Sequence, residues 1–127
     1  MKVYQKVTLL PKDTNGLGTI FGGVIMSYID LAAAGCCRDH FRNHRFVTLV
    51  VRELQFHAPV FVGDVLTLSG EITDQGRTSV TVLLVADALR RDSCDTIRVT
   101  EAELVFVAVD ESGSKEPLQP REVGGCG

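Results

Sequence analysis

One ionised side chain stands in an otherwise uncharged stretch of the sequence. Between Ile20 and Cys37, the only residue charged at neutral pH is Asp30. Moving a carboxylate out of water without a partner costs on the order of several kcal/mol, so a chain that keeps one there has a partner or a use for it. A poised carboxylate can act as a nucleophile or as a base toward water. The alternative is an aspartate on a helix surface that faces solvent or caps a neighbour.

Two glycines, Gly22 and Gly23, precede this acid in the chain. If they begin a helix, their backbone N–H groups have no partner inside it, and the helix dipole favours negative charge there. Glycine also lets a ligand approach the backbone closely. Such donors suit the polarisation of a carbonyl as an oxyanion forms. The alternative is that the two glycines only make the turn.

The spacing of these features predicts a site shared by two subunits. Gly22 and Asp30 are eight positions apart, hence about 12 Å along one helix. A reacting carbon must lie roughly 3–3.5 Å from the group that attacks it, so one helix cannot easily supply both. Two antiparallel helices across a two-fold axis could, because the start of one would meet the middle of the other.

The residues around Asp30 predict one long helix. Residues 24–37 combine alanines with large aliphatic residues, and the apolar positions cover nearly every face, which predicts a mostly buried helix. The polar residues 38–45 follow, with positive charge near the helix C-terminus. Before the helix, we predict a short strand at residues 2–9 and a loop at residues 11–18, where turn-forming residues gather.

The rest of the chain predicts strands and a tail. β-rich or alternating segments occur at residues 46–57, 65–73, 78–88 and 97–109. One apolar helix followed by long strands indicates an α+β fold whose antiparallel sheet can curl around the helix. A dimer that continues the sheet would cover its edges. We therefore expect one domain at residues 1–112, and a flexible tail at residues 113–127, where Gly, Pro and charge dominate.

Composition narrows the classes of function. The 127 residues are 45% hydrophobic and 23% charged, typical of one globular domain, and the net charge of −3 indicates neither a nucleic-acid nor an anionic-membrane partner. No apolar run reaches the roughly 18 residues of a membrane span, and the N-terminus lacks a signal-peptide core. The four cysteines have no metal-ligand spacing, so we expect no metal and a reducing cytoplasm. They are Cys36, Cys37, Cys94 and Cys126.

A series of short motifs runs along about residues 7–112. The segments are residues 13–23, Met26, Asp30, residues 56–65, residues 76–79 and residues 106–110. In their order and spacing, they resemble the hotdog-fold acyl-CoA thioesterases. The similarity is to the bacterial YciA type and to the related cytosolic acyl-CoA hydrolases of animals.

The resemblance implies a fold, an assembly and an activity. The fold would be an antiparallel sheet wrapped around one long central helix, the hotdog fold. The assembly would be a dimer with a continuous sheet, and often a trimer of such dimers, a hexamer. The activity would be hydrolysis of an acyl-CoA substrate to a free acid and CoA, without metal or cofactor.

The resemblance also implies roles for individual residues. Asp30 would be the nucleophile or general base, and Asn15 would orient the attacking water or the thioester. The backbone N–H of Gly22, or that of Gly23, would polarise the carbonyl. Thr48, in the strand after the helix, would assist the carboxylate.

Further residues would contact CoA. The turn of Gly76, Arg77, Thr78 and Ser79 resembles the one that borders the phosphopantetheine and nucleotide, although an ordinary exposed hairpin turn is the alternative. Three basic residues could meet the phosphates, although solvated surface charge is the simpler interpretation. They are Arg90, Arg91 and Lys115. The chain departs from the family at Leu17, where some relatives carry a second Asn, and this puts the acyl-side pocket in doubt.

Two other functions compete with hydrolysis. An enoyl-thioester hydratase or dehydratase would need a histidine near the thioester, and His57 is the candidate. A non-catalytic acyl-CoA sensor would keep the fold, but it has no need for a desolvated carboxylate such as Asp30. Ser27 and Cys36 are nucleophiles by type, yet no base is predicted beside either of them.

Overall fold

The structure is a computed structural model, and it describes residues 1–121. One helix packs against a single five-stranded sheet, so the predicted α+β class is confirmed. Every neighbouring pair of strands is antiparallel, in the spatial order β1-β3-β4-β5-β2. The elements are β1 (Lys2–Thr8), a 3₁₀ turn (Pro11–Asp13), α1 (Gly22–His40), β2 (Phe46–Phe56), β3 (Val65–Gln75), β4 (Ser79–Leu89) and β5 (Thr96–Ala108).

The core lies between α1 and the concave face of the sheet. Buried residues recur along α1 at intervals of three and four, as expected for one helix face on a sheet. Ile25, Ile29 and Ala33 are at most 3% exposed. They meet alternating residues of the strands, such as Leu66 on β3 and Leu84 on β4, which are fully buried. This packing fixes which face of α1 turns away from the sheet.

The opposite face of α1 is not covered within the single chain. Most of residues 24–37 are buried or half-buried, as predicted, but Leu31 is 63% exposed, so one apolar face of the helix is not buried within one protomer. The reason is that a single sheet covers one side of a helix, and periodicity alone does not say what covers the other. Asp30 lies next to Leu31 on the boundary between the two faces and is half-buried.

The two edges of the sheet differ in character. β1 carries Lys2 and Lys6, and lysine on an edge strand opposes pairing with another chain. β2 instead presents a run of aliphatic residues that are 38–60% exposed. Together with the adjacent Leu31 they form a surface that we call the apolar edge. Its members are Leu31, Val47, Leu49, Val50 and Val51. A long unpaired strand of this kind is a site for pairing with a second chain.

The part of the predicted tail that the structure describes is held against the domain. The buried Asn43 donates to Glu116 Oε1 at 2.9 Å, and its Oδ1 accepts a hydrogen bond from the Gln119 N–H at 2.7 Å. The Leu118 N–H also donates to the Arg77 carbonyl at 2.9 Å. Composition suggested a flexible tail because these partners lie far away in sequence. Residues 122–127 lie outside the described residues.

Three of the four cysteines lie among the described residues. Cys36 and Cys37 are buried free thiols and Cys94 is an exposed one, while Cys126 lies outside the described residues. Burial raises the pKa of the Cys36 thiol, which makes it a poor nucleophile. Within residues 1–121, no helix combines the length and hydropathy needed to cross a bilayer.

Alanine substitutions at two glycines test the packing of α1 on the sheet, because they should change the free energy of unfolding in opposite directions. At Gly35, in α1, an added Cβ would have its nearest neighbour at 3.9 Å, so Gly35→Ala should raise the free energy of unfolding by about 0.5–1 kcal/mol. At Gly70, in β3, an added Cβ would lie 2.8 Å from Leu84 Cδ2 and 3.3 Å from the Leu83 carbonyl oxygen. Gly70→Ala should therefore lower the free energy of unfolding by about 1–3 kcal/mol. Urea denaturation measures both, and shifts of the same sign would contradict this packing.

Candidate active site

A short hydrogen bond joins the helix to the edge strand. Thr48 Oγ1 donates to Asp30 Oδ1 at 2.7 Å. Thr48 faces α1 because residues alternate along the start of β2, with Val47 and Leu49 exposed on the other side. The other carboxylate oxygen of Asp30 accepts no hydrogen bond from the described residues. Asp30 therefore has one oxygen held in place and one free, at the boundary of the apolar edge.

The start of α1 offers unpaired backbone donors. Phe21 is the N-cap, with φ −60° and ψ 129°, and no side chain caps the helix. Within residues 1–121, the N–H groups of Gly22 and Gly23 have no hydrogen-bond partner. A Cβ on Gly23 would lie 2.6 Å from Phe21 Cε1, whereas one on Gly22 would have its nearest contact at 3.9 Å, with Phe56 Cζ. Both groups can donate to an incoming oxygen anion.

Asn15 lies in the loop that leads to this helix start. Its Nδ2 donates to Thr19 Oγ1 at 2.8 Å, and its Oδ1 accepts from the Leu17 N–H at 2.8 Å. Gly16 and Gly18 have φ of +84° and +89°, a left-handed conformation that favours glycine and lets the loop turn tightly. The amide of Asn15 retains one donor hydrogen and one acceptor position for a water or substrate.

Asp13 fixes this loop, and the sequence analysis gave it no role. Its Oδ2 accepts from the Leu10 N–H at 3.0 Å, while its backbone carbonyl accepts from the Phe21 N–H at 2.8 Å. The Leu10 N–H, followed by the nearby ammonium of Lys12, holds the pKa of the Asp13 carboxyl below its usual range. Asp13 thus ties the end of β1 to the residue before α1. An acid three residues after the N-cap of a 3₁₀ turn was the available signal.

The predicted CoA-binding turn lies at the same end of the sheet as Thr48. The Gly76 N–H donates to the Ser79 carbonyl at 2.8 Å, which closes the turn between β3 and β4. Ser79 pairs with Val107, and Val107 pairs with Val47. Adjacent strands are about 4.8 Å apart, so the turn lies roughly 10 Å across the sheet from the start of β2. Arg77 is exposed and has no ion-pair partner among the described residues.

The other basic candidates have different surroundings. Arg90 donates to the buried Asp64 at 2.7 Å, so its charge serves that carboxylate. Arg91 pairs with the exposed Asp92 at 3.2 Å. Both arginines therefore already have partners. Lys115 is exposed and forms no ion pair within residues 1–121.

His57 lies away from Asp30 in the protomer. It follows the end of β2, and its N–H donates to the Val99 carbonyl at 2.8 Å. Thr48 is near the opposite end of the same strand. Ser27 donates to the Val24 carbonyl at 2.7 Å and has no base beside it in the described chain. No group of three or more metal-ligating side chains occurs among residues 1–121.

The predicted site residues therefore form two groups in the single chain. Asp30, Thr48 and the turn at residues 76–79 lie toward one end of the sheet. Asn15, Gly22 and Gly23 lie at the start of α1, beside Phe56. Gly22 and Asp30 belong to one continuous helix and are about 12 Å apart along it. One protomer holds an acid and unpaired backbone N–H groups, but it does not bring them together.

Comparison with known proteins identifies the family. The family model of the thioesterase superfamily matches residues 17–88. A Haemophilus influenzae protein named as an acyl-CoA thioester hydrolase is 35% identical over 116 residues, which cover 89% of this chain and 74% of that protein. The Escherichia coli acyl-CoA thioester hydrolase YciA is 34% identical over 112 residues, covering 86% and 84%. The chain belongs to the thioesterase superfamily.

A solved structure agrees with this membership. The hexameric hotdog fold thioesterase of Campylobacter jejuni superposes with a TM-score of 0.88 at 36% sequence identity, covering 94% of this chain and 91% of that one. The predicted hotdog fold and the resemblance to acyl-CoA thioesterases are confirmed.

The Asp13 anchor predicts a specific dependence of stability on pH. Because its pKa is lowered on folding, the ionised carboxylate stabilises the fold above its ordinary pKa near 3.8. That contribution is lost as the pH falls through the lower folded-state value. Asp13→Asn should therefore melt below the wild type at pH 7, and the difference should shrink as the pH approaches about 3.

Thermal unfolding at pH values between 7 and 3 measures this difference. Asp92→Asn, which removes an exposed acid, is the control and should melt like the wild type at pH 7. A gap between the Asp13→Asn and wild-type melting temperatures that stays constant down to pH 3 would show that ionisation of Asp13 does not stabilise the loop.

Proposed function

We propose that this protein is an acyl-CoA thioesterase that hydrolyses acyl-CoA thioesters to a free carboxylic acid and CoA. The observation that carries the proposal is the hydrogen bond from Thr48 to Asp30, on a carboxylate at the boundary of the apolar edge. Relatives named as acyl-CoA thioester hydrolases, 34–35% identical over most of the chain, support the substrate class.

Asp30 has two chemical routes to the products. As a base, its free oxygen takes a proton from water while the water oxygen bonds to the thioester carbon. The tetrahedral intermediate then breaks its C–S bond, and the CoA thiolate recovers the proton from the Asp30 carboxyl. As a nucleophile, the same oxygen bonds to the carbon and expels CoA, and water then hydrolyses the mixed anhydride. Thr48 orients the carboxylate in either route.

The oxyanion donors come from a second protomer in this proposal. The helix start lies about 12 Å from Asp30 along one helix, too far for one thioester group to meet both. Pairing the apolar edge with its copy across a two-fold axis sets β2 antiparallel to β2 of the partner subunit. In the register that places the two-fold axis at Arg52, Phe56, next to Gly22, lies opposite Thr48 of the partner subunit. The Gly22 or Gly23 N–H thereby faces Asp30 of the partner subunit, and Asn15 lies beside it to orient the water or thioester.

Exposed groups support this assembly. The side chains of the apolar edge are 38–63% exposed, so complete desolvation by pairing would contribute about 0.5–2 kcal/mol each, out of about 1.5–3 kcal/mol for a fully exposed one. The two-fold axis would pass near Arg52, whose side chain pairs with Glu103 at 3.0 Å, so the charge at the axis is compensated within each protomer. The hexameric Campylobacter jejuni relative supports further assembly into a trimer of dimers.

The CoA moiety would leave the site toward the turn at residues 76–79. That turn lies at the end of the sheet where β2 carries Thr48, and Arg77 is available for a phosphate. Arg90 is not, because Asp64 already binds it. Lys115 remains a second exposed cation in the described chain.

The buried free thiols Cys36 and Cys37 support a reducing, cytoplasmic setting.

Substitution of Asp30 and of Thr48, which binds it, tests the proposal. Asp30→Asn keeps the shape of the side chain but removes the base, and kcat for acyl-CoA should fall about 10²–10⁴-fold. Thr48→Val should lower kcat about 10- to 150-fold through the loss of about 1.5–3 kcal/mol, the range of a hydrogen bond to a charged group, while Thr48→Ser should retain most of the wild-type kcat. Release of free CoA thiol measures all three.

Asp39→Asn is the control, since this acid lies on the same helix and binds Lys2 and Tyr4 instead. Full turnover by Asp30→Asn would refute the role of the carboxylate. Binding of acyl-CoA by the wild type without thiol release would identify a sensor instead. Loss of an enoyl double bond without thiol release would identify a hydratase.

A further inference from the structure

We propose that the acyl group of the substrate occupies a cavity of about 270 Å³ beside the start of α1, and that this cavity sets the chain-length preference. The inference rests on the proposed thioesterase function. The walls of the cavity include Ile20, Ile25 and Val60. Ala58 and His57 lie nearer its opening. No residue of this cavity other than Gly22 has a role in the chemistry described above.

The walls are apolar and held in place before any ligand arrives. Ile20, Ile25 and Val60 are only 1–4% exposed. The Ile20 N–H donates to the Val60 carbonyl at 2.8 Å, which fixes two of the walls to each other. Sites for small apolar groups are typically concave, largely preformed and lined by such residues. These inner walls suit an aliphatic chain, and the polar side chains of the lining are those of Thr19 and His57.

The position of the cavity selects the acyl side of the thioester. Gly22 lines the cavity, and its N–H is one of the proposed donors to the thioester oxygen. The carbonyl carbon lies one bond from that oxygen, so its two substituents diverge from this point. The sulfur leads toward the turn at residues 76–79 of the subunit that supplies Asp30. The alkyl substituent is left to enter the cavity of the subunit that supplies Gly22.

A larger cavity fits this role less well. It has a volume of about 630 Å³ and lies toward the C-terminal end of α1, where Ala34, Arg38, Arg45 and Asp110 contribute to its lining. An alkyl chain there would take charged side chains out of water without a compensating partner. It also shares no residue with the helix start. We therefore assign the acyl chain to the smaller cavity.

The volume indicates short and medium acyl chains. An enclosed apolar cavity of about 150 Å³ holds a benzene ring, so the 270 Å³ of this open-sided cavity holds at most about eleven carbon atoms. Each methylene that enters can raise kcat/KM by up to about fourfold. Longer chains would extend past His57 into solvent and add nothing. The wild type should show a kcat/KM that rises with chain length and levels off near ten carbons.

Two variants that should shift the chain-length preference in opposite directions test the assignment. Ala58→Leu narrows the cavity by about three carbon atoms and should lower the ratio of kcat/KM for decanoyl-CoA over acetyl-CoA at least tenfold, at about fourfold per displaced methylene. Val60→Ala enlarges the cavity and should move the point at which kcat/KM levels off to longer chains. A general loss of folding cannot produce both shifts. Ala34→Leu, in the larger cavity, is the matched control and should leave the ratio unchanged.

The measurement is thiol release over saturated acyl-CoAs from two to sixteen carbons. An unchanged ratio in Ala58→Leu, a changed ratio in Ala34→Leu, or a wild-type kcat/KM still rising at sixteen carbons would each overturn the assignment. In those cases hydrolysis itself is still observed. Absence of thiol release at every chain length would instead refute the proposed function, so the two failures are distinguishable.

Discussion

The hydrogen bond between Thr48 and Asp30 is the contact that ties the candidate chemistry to the fold. It spans 2.7 Å between the middle of α1 and the start of the edge strand. The carboxylate stays half-buried beside the exposed Leu31 because this contact satisfies one of its oxygens. The packing of α1 on β3 and β4 fixes the helix rotation that makes the contact possible. The core packing and the sheet order thus position the pair of side chains that carries the candidate chemistry.

The second constraint is the length of the helix. About 12 Å separates the unpaired N–H groups at the start of α1 from Asp30, so one thioester group cannot contact both within a single protomer. The two sheet edges differ, and only the β2 edge suits pairing with a second protomer. β1 carries lysines that oppose pairing, whereas β2 exposes aliphatic residues next to the acid. The same surface that would stabilise a dimer would therefore also complete the site.

Local patterns in the sequence predicted much of the fold. Every predicted strand boundary lies within two residues of the observed one, because alternation and turn residues are local signals. The single charge in the helix marked Asp30 for the same reason. The pairing of Thr48 with Asp30 was expected only from family resemblance, since no local pattern relates positions 18 apart. The Asn43 contacts that hold residues 113–121, the Asp64–Arg90 pair and the exposed face of α1 were missed, because each depends on residues distant in sequence.

The most direct test asks whether one site is built from two protomers. Gly22→Pro removes the N–H at the first helical position, where proline is tolerated, and the extended ψ of 129° at Phe21 suits a following proline. Gly22→Ala, which keeps the N–H, is the control. Gly22→Pro and Asp30→Asn should each be nearly inactive alone. After unfolding and refolding as an equal mixture, half of the dimers would be mixed and each would hold one intact site, so thiol release should recover to about one quarter of the wild-type rate. No recovery, with mixed dimers demonstrated in the sample, would contradict the shared site.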